Sequence, residues 1–277
     1  MKKRKILLSV VGTFLFMVSC VSKSAEHLPC SDGTSIDTTL QARADSICQS
    51  LVSNHSASLL RIMVMDSNGY IVVDSQYPSN EEALSNVDAV YEPGALMFPI
   101  MVASSDGINM SMMLPVGIKD FCGFRLSDSH RILDTATGFY IDSITVQQAI
   151  EHHSNVAMAE LGRLYYYDNR EALLSNIGSI MPNTDFPNLS NDKSFYQFCI
   201  GHGFKVPMRT LLGCYCHSEI ANLVPHGCMN ASYINNQERM QLCIGYSSDG
   251  KYMAMVVAEN IGTNGQLASS VIDSLFR

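Results

Sequence analysis

The 277-residue sequence has no tryptophan, no internal repeat and no low-complexity tract. It also lacks a basic surplus: 18 Lys and Arg stand against 26 Asp and Glu, a formal charge of −8. Neutralising a phosphate backbone takes clustered cations. The acidic balance therefore excludes nucleic acid as a partner while leaving the fold open. The missing tryptophan excludes nothing. The apolar run from Ile6 to Val18 stops at thirteen positions, short of the ~20 that a membrane-crossing helix needs.

That run follows Lys2, Lys3, Arg4 and Lys5 and ends Met17-Val18-Ser19-Cys20. A basic start, a short apolar region and a small residue form the layout of a secretory signal. A small residue directly before a cysteine also resembles the lipobox of bacterial lipoproteins, whose cysteine is lipidated and becomes the first mature residue. An ordinary signal peptide cut nearby is the competing reading. The expectation is a leader over 1–19, lipidation at Cys20, and a polar tether over 20–34 that contains Pro29 and Gly33. Lipid chains contribute ~0.8 kcal/mol per buried methylene, so Cys20 carries the anchoring. The chain is then expected to be extracytoplasmic, held to the membrane through lipid, on the periplasmic side. Four of the 18 cations lie in the leader, which leaves 14 against 26 acidic residues, a formal charge of −12. Of nine cysteines, eight remain besides Cys20. Export permits disulfides, buried thiols account for the count equally well, and no connectivity follows from spacing.

Beyond the tether, Ile36, Leu40, Ala44, Ile47 and Leu51 recur at helical steps, with Asp37 as the cap. Leu59 to Met65 and Tyr70 to Val73 are strand-like runs around Asp66-Ser67-Asn68-Gly69, where Asn-Gly supplies the positive φ angles of a hairpin. Met240 to Tyr246 and Tyr252 to Ala258 flank Ser247-Ser248-Asp249-Gly250 in the same way, and a helix carrying Leu267, Val271, Ile272 and Leu275 closes the chain. The stretch from 92 to 222 reads as mainly helical. Strands from both ends in one sheet, with helices inserted between them, make an α/β arrangement.

Six strings, in order, resemble one family. SIDTTLQARAD at 35–45 is similar to the T-I-D-x-x-L-Q-x-x-A-E opening of the transpeptidase domain in class B penicillin-binding proteins. MVMDSNGYIVV at 63–73 resembles that family's V-x-M-D-x-x-T-G-x-I-L-A hairpin, and YEPGALMFPI at 91–100 its Y-E-P-G-S-T-F-K-P nucleophile segment. ITVQQAIEHHSNVAMAELG at 144–162 resembles the helix pair bearing S-x-N, and CIGHGFKVP at 199–207 the S-x-G-x-G-x-x-V-T-P stretch. IGYSSDGKYMAMVVAEN at 244–260 resembles the F-x-G-x-x-P…Y-A-x-x-V hairpin. The resemblance implies a penicillin-binding transpeptidase/serine β-lactamase-like α/β fold over 35–277: an antiparallel sheet flanked by helices, plus a helical subdomain.

It also implies a serine nucleophile whose lysine base lies three residues on, one helical turn away. Those positions are Ala95 and Phe98. A methyl group forms no acyl-enzyme, and a benzyl group takes no proton. Glu92-Pro93-Gly94 and Pro99 hold the register on both sides. In the second motif the first serine corresponds to His153, the middle position is Ser154, and Asn155 is kept. Thr145 and Gln148 form a capping box; Val146, Ala149, Ile150 and His153 then share a face. His153 is either a base or ligand in the old cleft or a side chain packed against Phe98. The third motif, Lys-Thr/Ser-Gly, occurs nowhere; its best counterpart is Cys228, Met229 and Asn230. That replacement removes the carboxylate clamp and the glycine that admits a peptide backbone. Leu96, Met97, Phe98 and Met229 then line an apolar pocket.

The resemblance with its motifs replaced leads to a non-catalytic cell-envelope module, with no cofactor, whose partner is an envelope protein or a peptidoglycan fragment. Its rival is a hydrolase or thiol enzyme built from Cys228, Ser154 and His153 or His226. Cys214-x-Cys216-His217 with His226-x-Cys228 has the residue types of a zinc site but not its paired spacing. The segment 207–222 reads as a helix that turns Cys214 and Cys216 apart, so no metal is expected. Lys119, Arg125 and Arg131 are expected as surface charges, and the 16 methionines as core filler.

Overall fold

A computed structural model describes residues 34–277 apart from 55, 80–84, 106, 129–131, 134–136, 236 and 262–266. The expected leader, Cys20 and all of the tether but Thr34 lie outside the described residues, as does Arg131. The chain begins with α1 (Thr38–Ser53), β1 (Leu59–Asp66) and β2 (Ile71–Tyr77). The middle runs through β3 (Val90–Tyr91), α2 (Met97–Ala103), β4 (Met113–Pro115), β5 (Ile118–Phe121), β6 (Phe124–Ser127) and β7 (Ser143–Thr145). It continues with α3 (Val146–Glu151), α4 (Asn155–Tyr166), α5 (Arg170–Ile180), α6 (Asp192–Cys199), β8 (Val206–Pro207), α7 (Met208–Cys214) and α8 (Ser218–Ala221). The end comprises β9 (Cys228–Asn235), β10 (Glu238–Tyr246), β11 (Tyr252–Glu259) and α9 (Leu267–Leu275).

Both chain ends build one antiparallel sheet in the order β2-β1-β11-β10-β9. Strand alternation sends side chains to opposite faces. Leu60, Ile62 and Val64, with Ala254, Val256 and Ala258, pack under α1 and α9, where Val271, Ile272 and Leu275 are buried. Met63, Met65, Leu242, Ile244, Met255 and Val257 face the helical region. Central strands covered on both faces lose polar alternation, which is why β1 and β11 read as continuous apolar runs. Each fully buried side chain of this size contributes about 1.5–3 kcal/mol.

Local chemistry explains the element ends. Asp37 caps α1, its Oδ1 accepting from Thr39 N and Leu40 N at 3.0 Å each. Ile36, expected on the buried face, precedes this cap and is 47% exposed; Cys48 is buried instead. In the first hairpin only Gly69 takes a positive φ, at +80°, where two such residues were expected. The Asp66 carboxylate holds the turn by accepting from Asn68 N and Tyr70 N at 2.9 Å each. A register shift between Val64 and Met65 absorbs the extra residue.

The helical region departs from expectation in two ways. It contains three two-stranded ribbons, β3–β8, β4–β7 and β5–β6. The single helix expected over 207–222 is two, α7 and α8, interrupted at Tyr215–His217, where His217 N turns back onto Cys214 O. Lys119, expected as a surface charge, reaches Glu160 of α4 at 2.9 Å, and Arg163 binds the same carboxylate at 2.8 Å. Burial pushes the Glu160 carboxyl up, but the hydrogen bonds from Arg163 and Lys119 outweigh it and hold it below its ordinary value. A depressed carboxyl stabilises the fold above its unfolded pKa of about 4.3 and loses that contribution as pH falls through the folded value. Glu160→Gln should therefore lower stability at neutral pH and flatten the loss of stability on acidification, read by urea unfolding across the acid range.

Candidate functional site

Tyr91, Glu92, Pro93 and Gly94 lead into a 3₁₀ turn over Gly94–Leu96, and α2 follows without a break. Tyr91 Oη donates to Glu259 Oε1 at 2.9 Å, which ties the entry to the end of β11. Glu92 pairs with His202 Nδ1 at 2.8 Å and accepts from Gly203 N at 3.1 Å. Gly94 has φ +53° and donates through its N–H to Gly201 O at 2.9 Å. A Cβ on Gly201 would lie 2.1 Å from Gly94 O, and one on Gly94 would lie 3.1 Å from the Ala231 Cβ of β9. Three backbone segments thus meet with almost no side chain between them.

Ala95 stands half-buried on this turn, while Leu96, Met97, Phe98 and Met229 are fully buried. The expected apolar lining is therefore packed protein interior. Tyr215, from the break between α7 and α8, donates its hydroxyl to Leu96 O at 2.6 Å and lies 3.8 Å from Met229 Sδ. Tyr246 Oη donates in turn to Tyr215 O at 2.9 Å. Complete burial pushes the Tyr215 hydroxyl well up, so it stays protonated and serves as a donor. Nothing in the sequence pattern had singled out Tyr215.

The second motif sits between α3 and α4. The Thr145–Gln148 capping box is present, with Gln148 N donating to Thr145 Oγ1 at 3.1 Å and Thr145 N to Gln148 Oε1 at 3.0 Å. Val146, Ala149 and Ile150 are buried on one face of α3, but His153 follows the helix end in a left-handed conformation, φ +53°. Burial, reinforced by His152, lowers the His153 pKa and keeps the ring neutral. Ser154 caps α4: its Oγ accepts from Ala157 N at 3.1 Å and donates to Asp128 Oδ2 at 3.0 Å. Asp128 also accepts from Val156 N at 3.0 Å and from Gly117 N at 2.8 Å. Asn155 is the first residue of α4. Asp128 went unnoticed in the sequence because its partners lie 11, 26 and 28 residues away. Ser154 is therefore a helix cap held by a carboxylate.

Cys228, Met229 and Asn230, the expected counterpart of the third motif, lie at the start of β9, the strand at one edge of the sheet. Met229 and Ala231 pack with the helical region and the head of α2, whereas Cys228 packs with α9 on the opposite face. Cys228, expected at the clamp position, thus points away from Ala95, because side chains alternate along a strand. The sheet separates it from the helical region that holds α3 and α4, and so from His153 and Ser154. The side chain of His226 lies outside the described residues. Cys214 is buried and donates to Thr210 O at 3.1 Å. Among the described residues no three His, Cys, Asp or Glu side chains come together as metal ligands, and none of the seven described cysteines is in a disulfide.

Solved structures share this arrangement. The chain matches a peptidoglycan glycosyltransferase from Burkholderia ambifaria with TM-score 0.68 and 16% identity, over 88% of this chain and 95% of that one. It matches the TP domain of penicillin-binding protein 3 from Burkholderia pseudomallei with TM-score 0.65 and 15% identity, over 88% and 93% of the respective chains. The fold is that of a penicillin-binding transpeptidase domain. No family model matches the sequence, and no curated protein matches it significantly.

On this transpeptidase fold the Gly94–Gly201 contact is the tightest constraint at the head of α2. Gly201→Ala places a methyl group against backbone at φ +76°. Gly250→Ala, at φ +69°, meets nothing within 4 Å. The second change should cost only the left-handed penalty of about 1–2 kcal/mol. The first should cost clearly more, read as the difference in urea midpoint between the two variants.

Proposed function

We propose that this chain is a non-catalytic, penicillin-binding-protein-like lipoprotein of the cell envelope, a binding or scaffold module related to peptidoglycan synthesis. The observation that carries the reading is the pair at the head of α2: a methyl group at Ala95 and a fully buried benzyl group at Phe98. Serine acyl transfer needs an oxygen nucleophile with a base beside it. Loss of such a nucleophile typically costs ~10⁶ in turnover. The names of the two similar structures, a peptidoglycan glycosyltransferase and a penicillin-binding protein, support the peptidoglycan setting. The scaffold around the head of α2 is intact, which fits a surface kept for an envelope protein or a peptidoglycan fragment.

A fluorescent β-lactam incubated with the purified protein should leave no covalent label on a denaturing gel; a stoichiometric adduct ends the non-catalytic reading. Restoring the motif should also fail. Phe98→Lys buries an unpaired charge, which costs about 3–5 kcal/mol, so Ala95→Ser with Phe98→Lys should unfold at much lower urea than the parent and still not acylate.

The lipid anchor is the second part of the proposal, supported by Ser19-Cys20 after the short apolar run. Cys20→Ala should shift the protein from the membrane to the soluble fraction and abolish incorporation of a labelled fatty acid. Continued membrane association with no fatty-acid label on the parent protein would remove the anchor from this account.

A further inference from the structure

The α9-facing side of the sheet holds a pair of thiols that the transpeptidase comparison does not account for. In the β9–β10 register, Cys228 lies opposite Gly245, and Cys243 lies opposite Asn230. Residues two apart on a strand share a face, so Cys243 and Gly245 project from the same side of β10. Cys228 and Cys243 accordingly pack into the same cluster beneath α9. The residue directly across from Cys228 has no side chain. A Cβ on Gly245 would lie 3.2 Å from the Cys228 Cβ and 2.9 Å from Ile272 Cγ2. The missing side chain leaves the Cys228 sulfur free to lean diagonally onto Cys243.

We propose that Cys228 and Cys243 form a reversible cross-strand disulfide site that ties the edge strand β9 to β10. Cys243 is fully buried and Cys228 half-buried, which divides the roles: Cys228 meets the oxidant and Cys243 resolves. The Cys228 thiol is pulled down to about 7, chiefly by a hydrogen bond from Cys243 and against desolvation and the nearby Asp273 carboxylate of α9. The same hydrogen bond is the largest cause holding the Cys243 thiol well up. Thiolate character at the accessible partner is what exchange requires.

The step balances with an external disulfide as oxidant. The Cys228 thiolate attacks one sulfur of R–S–S–R; that S–S bond breaks, and RS⁻ leaves and takes a proton from water. Capping Cys228 removes the largest of the interactions that held the Cys243 proton, while burial and Asp273 remain. The Cys243 thiol then loses its proton to water, and its thiolate attacks Cys228 Sγ and expels the second RS⁻. Two protein thiols are oxidised by two electrons, and R–S–S–R is reduced to two RSH. Diagonal neighbours in a sheet are spaced more widely than directly opposed residues, so the closed bond is strained and readily reduced. That marks a reversible site rather than a permanent staple.

The test treats the full-length protein with oxidised glutathione, blocks remaining thiols with N-ethylmaleimide, and assigns linkages by tandem mass spectrometry of a tryptic digest. The expected result is a Cys228–Cys243 cross-link with loss of both maleimide-reactive thiols, reversed by dithiothreitol. In Cys243→Ala, glutathione should stay trapped on Cys228. Glutathione on Cys228 of the unmodified sequence with Cys243 alkylated, a link from Cys228 to any other cysteine, or no oxidation at either position overturns the proposal. The unmodified-sequence arm decides even where the variant does not fold.

Discussion

The backbone of Gly94 is held between two other stretches of chain that admit no side chain at the contact. On one side Gly201 accepts its N–H; on the other Ala231 of the edge strand β9 leaves only a methyl group's space. A glycine in the left-handed region on each side of the Gly94–Gly201 hydrogen bond lets the loop after α6 reach the turn before α2. This junction fixes where α2 begins, and therefore where Ala95 and Phe98 stand. Glu92, two residues earlier, secures the same loop through His202 and Gly203. At the head of α2 this junction holds the methyl group of Ala95.

At the junction and elsewhere in the helical region, polar groups are committed to structure. The Tyr215 hydroxyl is spent on Leu96 O, Ser154 and Asp128 cap α4, and Glu160 clamps β5 to α4 through Lys119. Each of these has the residue type of a catalytic group, yet each satisfies a backbone or ionic partner that burial would otherwise leave bare.

Much of this was legible in the sequence wherever the cause is local. Asp37 capping α1, the Thr145–Gln148 box and the apolar face of α9 involve residues three or four apart, and all are present. The overall α/β plan was legible too, because long runs at both ends carry the sheet. The ribbons were not: at two to four residues per strand, β3 to β8 are too short to display alternation. At the break over Tyr215–His217, the Tyr215 hydroxyl reaches Leu96, more than a hundred residues away, a contact no local pattern displays. The side of the sheet that Cys228 faces is set by strand parity and distant pairing, which the local sequence does not carry.

The pairing of Leu59 with Glu259 sets an order on how the molecule is made. β1 and β2 are joined by a short turn, yet the other edge of β1 stays open until β11 exists, and β10 and β11 stay uncovered on that face until α9 arrives. Such distant pairings require closing a very long loop before any contact rewards it, which slows folding. The chain is therefore complete as a structure only after its last few dozen residues are available, and a truncation there strikes the middle of the sheet rather than its periphery.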